Sequence, residues 1–156
     1  MGYHPTSDAM DWIADDDRGR EINGRGGNDR FYGAAGNDVL IGGSVRDTLY
    51  GQVGDDVFHG GDNNGPLSGD ANHDLLYGDG GDDLRGGDLH DTLLGGYGHD
   101  VLYGGADRDV LSGGHSNYVL HGGGGGDHFD LGQGRDTVVG SKADLYNDTT
   151  VCFKKA

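Results

Sequence analysis

Gly33-Ala34-Ala35-Gly36-Asn37-Asp38-Val39-Leu40-Ile41 is one copy of a nine-residue unit that recurs from Gly24 to Val139. Copies begin at Gly24, Gly33, Gly42, Gly51, Gly60, Gly69, Gly78, Gly86, Gly95, Gly104, Gly113, Gly122 and Leu131, and the one from Gly78 to Arg85 is a residue short. Their eighth position is apolar every time: Phe31, Leu40, Leu49, Phe58, Leu67, Leu76, Leu84, Leu93, Leu102, Leu111, Leu120, Phe129 and Val138. Their sixth position reads Asp29, Asp38, Asp47, Asp56, Gly65, Asp74, Asp83, Asp91, Asp100, Asp109, Tyr118, Asp127 and Asp136. Two independent columns holding register over so long a stretch identify a repeat architecture, which takes precedence over any local helix signal.

The columns resemble G-G-x-G-x-D-x-U-x, with U a large apolar residue, the unit of the RTX (repeats-in-toxin, haemolysin-type) calcium-binding family. Gly51-Gln52-Val53-Gly54-Asp55-Asp56-Val57-Phe58 and Gly95-Gly96-Tyr97-Gly98-His99-Asp100-Val101-Leu102 carry the spaced glycine, the aspartate and the apolar residue together. The resemblance implies an all-β fold, a right-handed parallel β-roll in which six residues turn and three form a short strand. It also implies Ca²⁺ held between stacked turns. The expected organisation is an N-terminal cap over 1–23, the roll over 24–139 and a C-terminal cap over 140–156.

Composition leads to the same ligand by another path. With 35 Gly, 33% hydrophobic residues and a formal charge of -16, the chain has little apolar surface to set against the entropy of ordering its backbone. Glu21 is the only glutamate, so aspartate, the shorter carboxylate, supplies nearly all of the 27 acidic residues. Oxygen donors in glycine-rich turns suit Ca²⁺, which accepts irregular shells, better than Mg²⁺, which demands an octahedron. Disorder is the expectation without metal. Collagen is excluded, since glycine does not fall at every third position and only 2 Pro occur.

If two units complete one turn of the roll, as in the family, residues 18 apart stack. One side then carries Asp38, Asp56, Asp74, Asp91, Asp109 and Asp127 without a break, enough for about five ions, one per gap. The other carries Asp29, Asp47, Gly65, Asp83, Asp100, Tyr118 and Asp136, interrupted at Gly65 and Tyr118. These aspartates, with the fourth-position glycines Gly36, Gly54, Gly98 and Gly125, form the expected metal-site set. The fourth position needs positive φ; Val45 and Leu89 are strained there, whereas Asn63, Asn72 and Asp107 are better tolerated. Pro66 removes a strand donor and marks the unit from Gly60 to Ser68 as an expected defect. The short unit is expected to bulge at Arg85.

Solenoid ends need covering. Met10, Trp12 and Ile13 suggest a short helix or irregular cap with Ile22 as a half-repeat, and Leu145, Tyr146, Val151, Cys152 and Phe153 suggest closing strands. No long apolar run marks a signal peptide or membrane span. Type I secretion machinery is the export partner that the resemblance implies, although the ending Phe153-Lys154-Lys155-Ala156 departs from the acidic, apolar ending usual there. Cys152 reads as a core residue rather than a nucleophile, and the eight histidines as turn residues rather than a Zn²⁺ site. Neither H-E-x-x-H nor G-x-S-x-G occurs, and so acidic a surface does not suit nucleic acid. Tyr32 and Tyr50 are 18 apart, with Tyr103 on the same strand face.

The expected function is a non-catalytic, extracellular calcium-binding roll, folded by several Ca²⁺ ions and exported without a cleavable N-terminal signal. Alternatives are the carboxy-terminal module of a secreted protease, lipase or epimerase, and an adhesin-type surface-binding roll. Acid is expected to mimic chelation, because protonated aspartate cannot ligate.

Overall fold

A computed structural model describes residues 10–14, 16–63, 65–140, 145–146 and 152–153, the last two pairs as backbone only. Its strands are β1 (Trp12–Ala14), β2 (Glu21–Asn23), β3 (Arg30–Ala35), β4 (Val39–Gly43), β5 (Thr48–Val53) and β6 (Val57–Gly61). There follow β7 (Pro66–Ala71), β8 (Leu75–Asp79), β9 (Asp83–Asp88), β10 (Thr92–Gly96), β11 (Val101–Gly105) and β12 (Val110–Gly114). The chain closes with β13 (Val119–Gly123), β14 (His128–Asp130), β15 (Thr137–Val139), β16 (Leu145–Tyr146) and β17 (Cys152–Phe153). Among the described residues there is no helix.

Odd strands form a nine-stranded sheet and even strands an eight-stranded one, each in sequence order and parallel throughout. The register explains why period nine appears as period 18: Phe31 pairs with Leu49 and Leu40 with Phe58, so each full coil takes one unit from each sheet. Every eighth-position residue is buried between the sheets, together with Ile22 and Leu131. Parallel sheets normally have both faces covered. Here the inner faces cover each other and the outer faces meet solvent, so only the eighth position is enclosed in every unit.

Seventh-position amides tie coil to coil. Thr48 N–H donates to the Asp29 carbonyl, Val57 to Asp38 and Leu75 to Asp56, at 2.8–2.9 Å. Pro66 occupies that position and has no such donor. Yet the unit from Gly60 to Ser68 is no defect in the stacking: β7 lies between β5 and β9, with Leu67 paired to both Leu49 and Leu84. Proline is accommodated because it is the first residue of its strand, and Gly65 before it closes so tightly on the Asp47 carbonyl that no side chain fits there.

The expected bulge at Arg85 is absent as well. Strand β9 is continuous, with Leu84 against Leu102 and Arg85 against Tyr103. The missing residue comes out of the preceding turn, where Gly80 and Gly81 do the work of three residues. A turn can shorten without disturbing the core, whereas a strand losing one residue would turn its whole apolar set outward.

Stacking also begins earlier than the sequence suggests. Instead of a helix, Trp12–Ala14 forms β1, whose Ile13 pairs with Phe31, and Glu21–Asn23 forms β2 against β4. At the other end β16 and β17 add to β14 and β15. Val151, Lys142, Lys154 and Lys155 lie outside the described residues.

Candidate metal centre

The turns need left-handed backbone at two positions. The fourth position is positive in Gly36 (φ 111), Gly54 (φ 142), Gly98 (φ 98) and Gly125 (φ 111), and the non-glycines Val45 (φ 78), Asn72 (φ 90), Leu89 (φ 77) and Asp107 (φ 70) adopt it too. The second position, which sequence reasoning overlooked, is equally positive in Gly43, Gly61, Gly105 and Gly123 and in Arg25, Ala34, Gln52, Asp70 and Asp79. Turns of this shape pack closely: a methyl group on Gly54 would collide with the Gly36 carbonyl one coil below.

Such turns bring the sixth-position aspartates into two ladders. In the first, each backbone N–H donates to the carboxylate of the next coil: Asp38 to Asp56 (2.8 Å), Asp56 to Asp74 (2.9 Å), Asp74 to Asp91 (2.9 Å), Asp91 to Asp109 (2.9 Å) and Asp109 to Asp127 (3.0 Å). The second runs from Asp29 to Asp47 (2.8 Å), from Gly65 to Asp82 (2.5 Å), from Asp82 to Asp100 (2.5 Å) and from Tyr118 to Asp136 (3.0 Å).

Asp82, rather than Asp83, therefore holds the sixth position of the short unit. Asp82 is buried, while Asp83 is an exposed seventh-position residue paired with Pro66 and Val101. The misplacement follows from counting the missing residue as lost from the strand. Asp11 is a further member that sequence reasoning missed: its N–H donates to Asp29 at 2.8 Å. The signal was legible, since Asp11-Trp12-Ile13 is an aspartate two residues ahead of an apolar residue, 18 residues before Asp29.

Each ladder uses one carboxylate oxygen and leaves the other inside the turn. The Oδ2 atoms of Asp29, Asp47, Asp56, Asp74, Asp82, Asp91, Asp100 and Asp109 are buried without a hydrogen-bond partner. Around the first-position glycines they converge with carbonyl oxygens. A methyl group on Gly33 would lie 2.6 Å from Asp38 Oδ2 and 2.8 Å from the Gly51 carbonyl oxygen; one on Gly42 would lie 2.6 Å from both Asp47 Oδ2 and the Gly60 oxygen. Glycine keeps these pockets open.

Burying bare carboxylates is costly. Desolvation pushes Asp74 and Asp82 up to about 8, Asp109 to about 7, and Asp47, Asp56, Asp91 and Asp100 to about 6, with neighbouring aspartates adding to the rise at Asp74, Asp82 and Asp109. The donor set is all oxygen, carboxylate plus carbonyl, which fits Ca²⁺. Among the described residues no three histidine, cysteine, aspartate or glutamate side chains converge, so backbone carbonyls or water would have to complete any shell.

Histidines serve a different role. His90 N–H donates to His73 Nδ1 and Arg108 N–H to His90 Nδ1, both at 3.1 Å, continuing a fifth-position ladder in which Asp55 N–H donates to Asn37 and His73 N–H to Asp55. On the outer face of the odd sheet, Tyr32 stacks on Tyr50 at 5.0 Å with the Arg30 guanidinium over both rings, and Tyr103 stacks on His121 at 4.6 Å. Stacked in this way, the rings present edges to solvent.

Compared with known families, the chain matches the family model of the RTX calcium-binding nonapeptide repeat (4 copies) over residues 21–49, 37–65, 67–84, 85–117 and 119–142. The matched segments leave out Pro66 and Tyr118, two of the departures described above. No curated protein matches the chain.

Proposed function

The chain belongs to the RTX calcium-binding nonapeptide repeat family, and on that footing we propose that it is a non-catalytic roll whose folding is coupled to several Ca²⁺ ions and which works outside the cell. The observation that carries this reading is the row of buried carboxylate oxygens facing glycine carbonyls inside the turns. Bound Ca²⁺ would supply the positive charge these oxygens lack.

The residues proposed to hold it in the first ladder are Asp38, Asp56, Asp74, Asp91, Asp109 and Asp127. In the second they are Asp29 with Asp47, Asp82 with Asp100, and Asp136 more weakly. Carbonyls of the turns, including those of Gly36, Gly54, Gly98 and Gly125, complete the shells. Occupancy is therefore asymmetric, continuous along one edge of the roll and interrupted along the other. Affinities of roughly 10⁻⁴ to 10⁻³ M, typical of extracellular modules, would leave the chain unfolded at low calcium and fold it where calcium is plentiful.

Circular dichroism during Ca²⁺ titration at neutral pH tests this directly. A β-sheet spectrum should develop with added calcium and disappear with chelator. A folded spectrum that persists in excess chelator at that pH sinks the folding switch.

A further inference from the structure

Tyr118 sits where the second ladder should carry a carboxylate, and its N–H donates to Asp136 at 3.0 Å as an aspartate's would. Its side chain then does something no aspartate does. It is 1% exposed, and its hydroxyl accepts hydrogen bonds from His115 N–H (2.6 Å) and Ser116 N–H (2.8 Å) of its own turn while donating to the Gly96 carbonyl of the coil before (2.8 Å). One donor and two acceptor sites are all that a hydroxyl offers, so every one is used.

The ring fills the space that other turns leave for oxygen. A methyl group on Gly113 would meet Tyr118 Cδ2 at 2.5 Å, whereas the equivalent pockets at Gly33, Gly42 and Gly104 are faced by the Oδ2 of their own aspartates. At this point a neutral, saturated oxygen replaces an anionic, unsatisfied one, and a ring replaces the open pocket.

We propose that Tyr118 is a built-in substitute for calcium: it clamps its own turn to the preceding coil by side-chain hydrogen bonds and excludes the ion from the gaps on either side. The inference rests on the proposed calcium ladders for what is excluded, but not for the clamp. A mere defect, by contrast, would leave the Ser116 amide without this acceptor and His115 N–H with only the Gly96 carbonyl, at 3.3 Å. The second ladder thus contains a joint that holds whether or not metal is present, between the coils of β10–β11 and β12–β13.

Two variants test the two halves. Tyr118→Phe removes only the hydroxyl, and at saturating calcium it should speed hydrogen exchange of the Ser116 amide on the order of tenfold or more, and of the His115 amide less because it keeps the Gly96 carbonyl, while leaving amides of other turns and the calcium stoichiometry unchanged. Unchanged exchange at the Ser116 amide overturns the clamp. Tyr118→Asp should raise the calorimetric stoichiometry by at least one ion, because it restores carboxylates facing Asp100 and Asp136. Equal stoichiometry in a folded Tyr118→Asp, or a gain in Tyr118→Phe, overturns the exclusion. Should Tyr118→Asp not fold, the phenylalanine variant decides alone, both by exchange and by stoichiometry. Wild-type protein that binds no calcium would remove the ladder reading, and the exchange comparison would still decide the clamp.

Discussion

Val45 and Leu89 pay for their places in the turns with backbone strain, at φ 78 and φ 77, and being 46% and 40% exposed they gain little burial in return. Left-handed backbone costs an L-residue about 1–2 kcal/mol, partly offset by the entropy that glycine would lose, about 0.5–1 kcal/mol. Val45→Gly and Leu89→Gly should therefore each stabilise the calcium-loaded roll by about 0.5–1 kcal/mol in denaturant titrations; destabilisation would show that these turns do not set the local strain. Gly54→Ala should do the opposite and cost more than about 1 kcal/mol, since the methyl group meets the Gly36 carbonyl at a φ of 142. Among the carboxylates, Asp74 has aspartates on both sides in an unbroken ladder, whereas Asp136 follows Tyr118, where the other ladder is interrupted. Asp74→Ala should weaken calcium binding more than Asp136→Ala, and equal losses by calorimetry would remove the proposed asymmetry.

At the level of the strand, each of β2 to β15 contributes one fully enclosed apolar side chain, so the core is a double file rather than a layer. Phe58 in β6 is wholly buried and lies between Leu40 and Leu76 in its sheet. Phe58→Ala should cost about 3–5 kcal/mol, measured as unfolding free energy at saturating calcium. A loss below about 1 kcal/mol would mean that neighbouring coils collapse into the space. The two irregular units show what a strand tolerates. Pro66 is admitted at a strand start, and the residue missing before Asp82 is taken from the turn, because strand register carries the core and turn length does not.

For the whole molecule, the buried carboxyls set a pH dependence whose sign changes with metal. Their folded-state values, about 6 to about 8, exceed the unfolded value of about 3.9. Between these values the metal-free roll holds protons that the unfolded chain has released, so the stability these groups contribute is fully present only below about pH 4 and is lost as pH rises toward about 8. Calcium affinity runs the other way, because protons compete for the same oxygens. In excess chelator, the β-sheet signal should strengthen as pH is lowered from about 8 to about 5, while calcium titrations over that interval show weakening affinity. Acid thus removes the ion as a chelator does, but it also removes the charge that makes the ion necessary. A chelated chain equally unfolded across the interval would contradict this.

The amino-acid sequence by itself determined the period, the core file and most members of both ladders, because a nine-residue repeat forces the same side chains into the same environments coil after coil. It also located the strained turns at Val45 and Leu89 and the interruptions at Gly65 and Tyr118. Only the tertiary structure decided that Asp82 replaces Asp83 and that Pro66 sits within a continuous sheet. Each of these depends on pairing between residues 17 or 18 positions apart, where an irregular unit is corrected by its neighbours rather than by its own residues. The hydroxyl of Tyr118 shows the same dependence, for a tyrosine in an aspartate column reads as a gap until the Gly96 carbonyl of the preceding coil is placed against it.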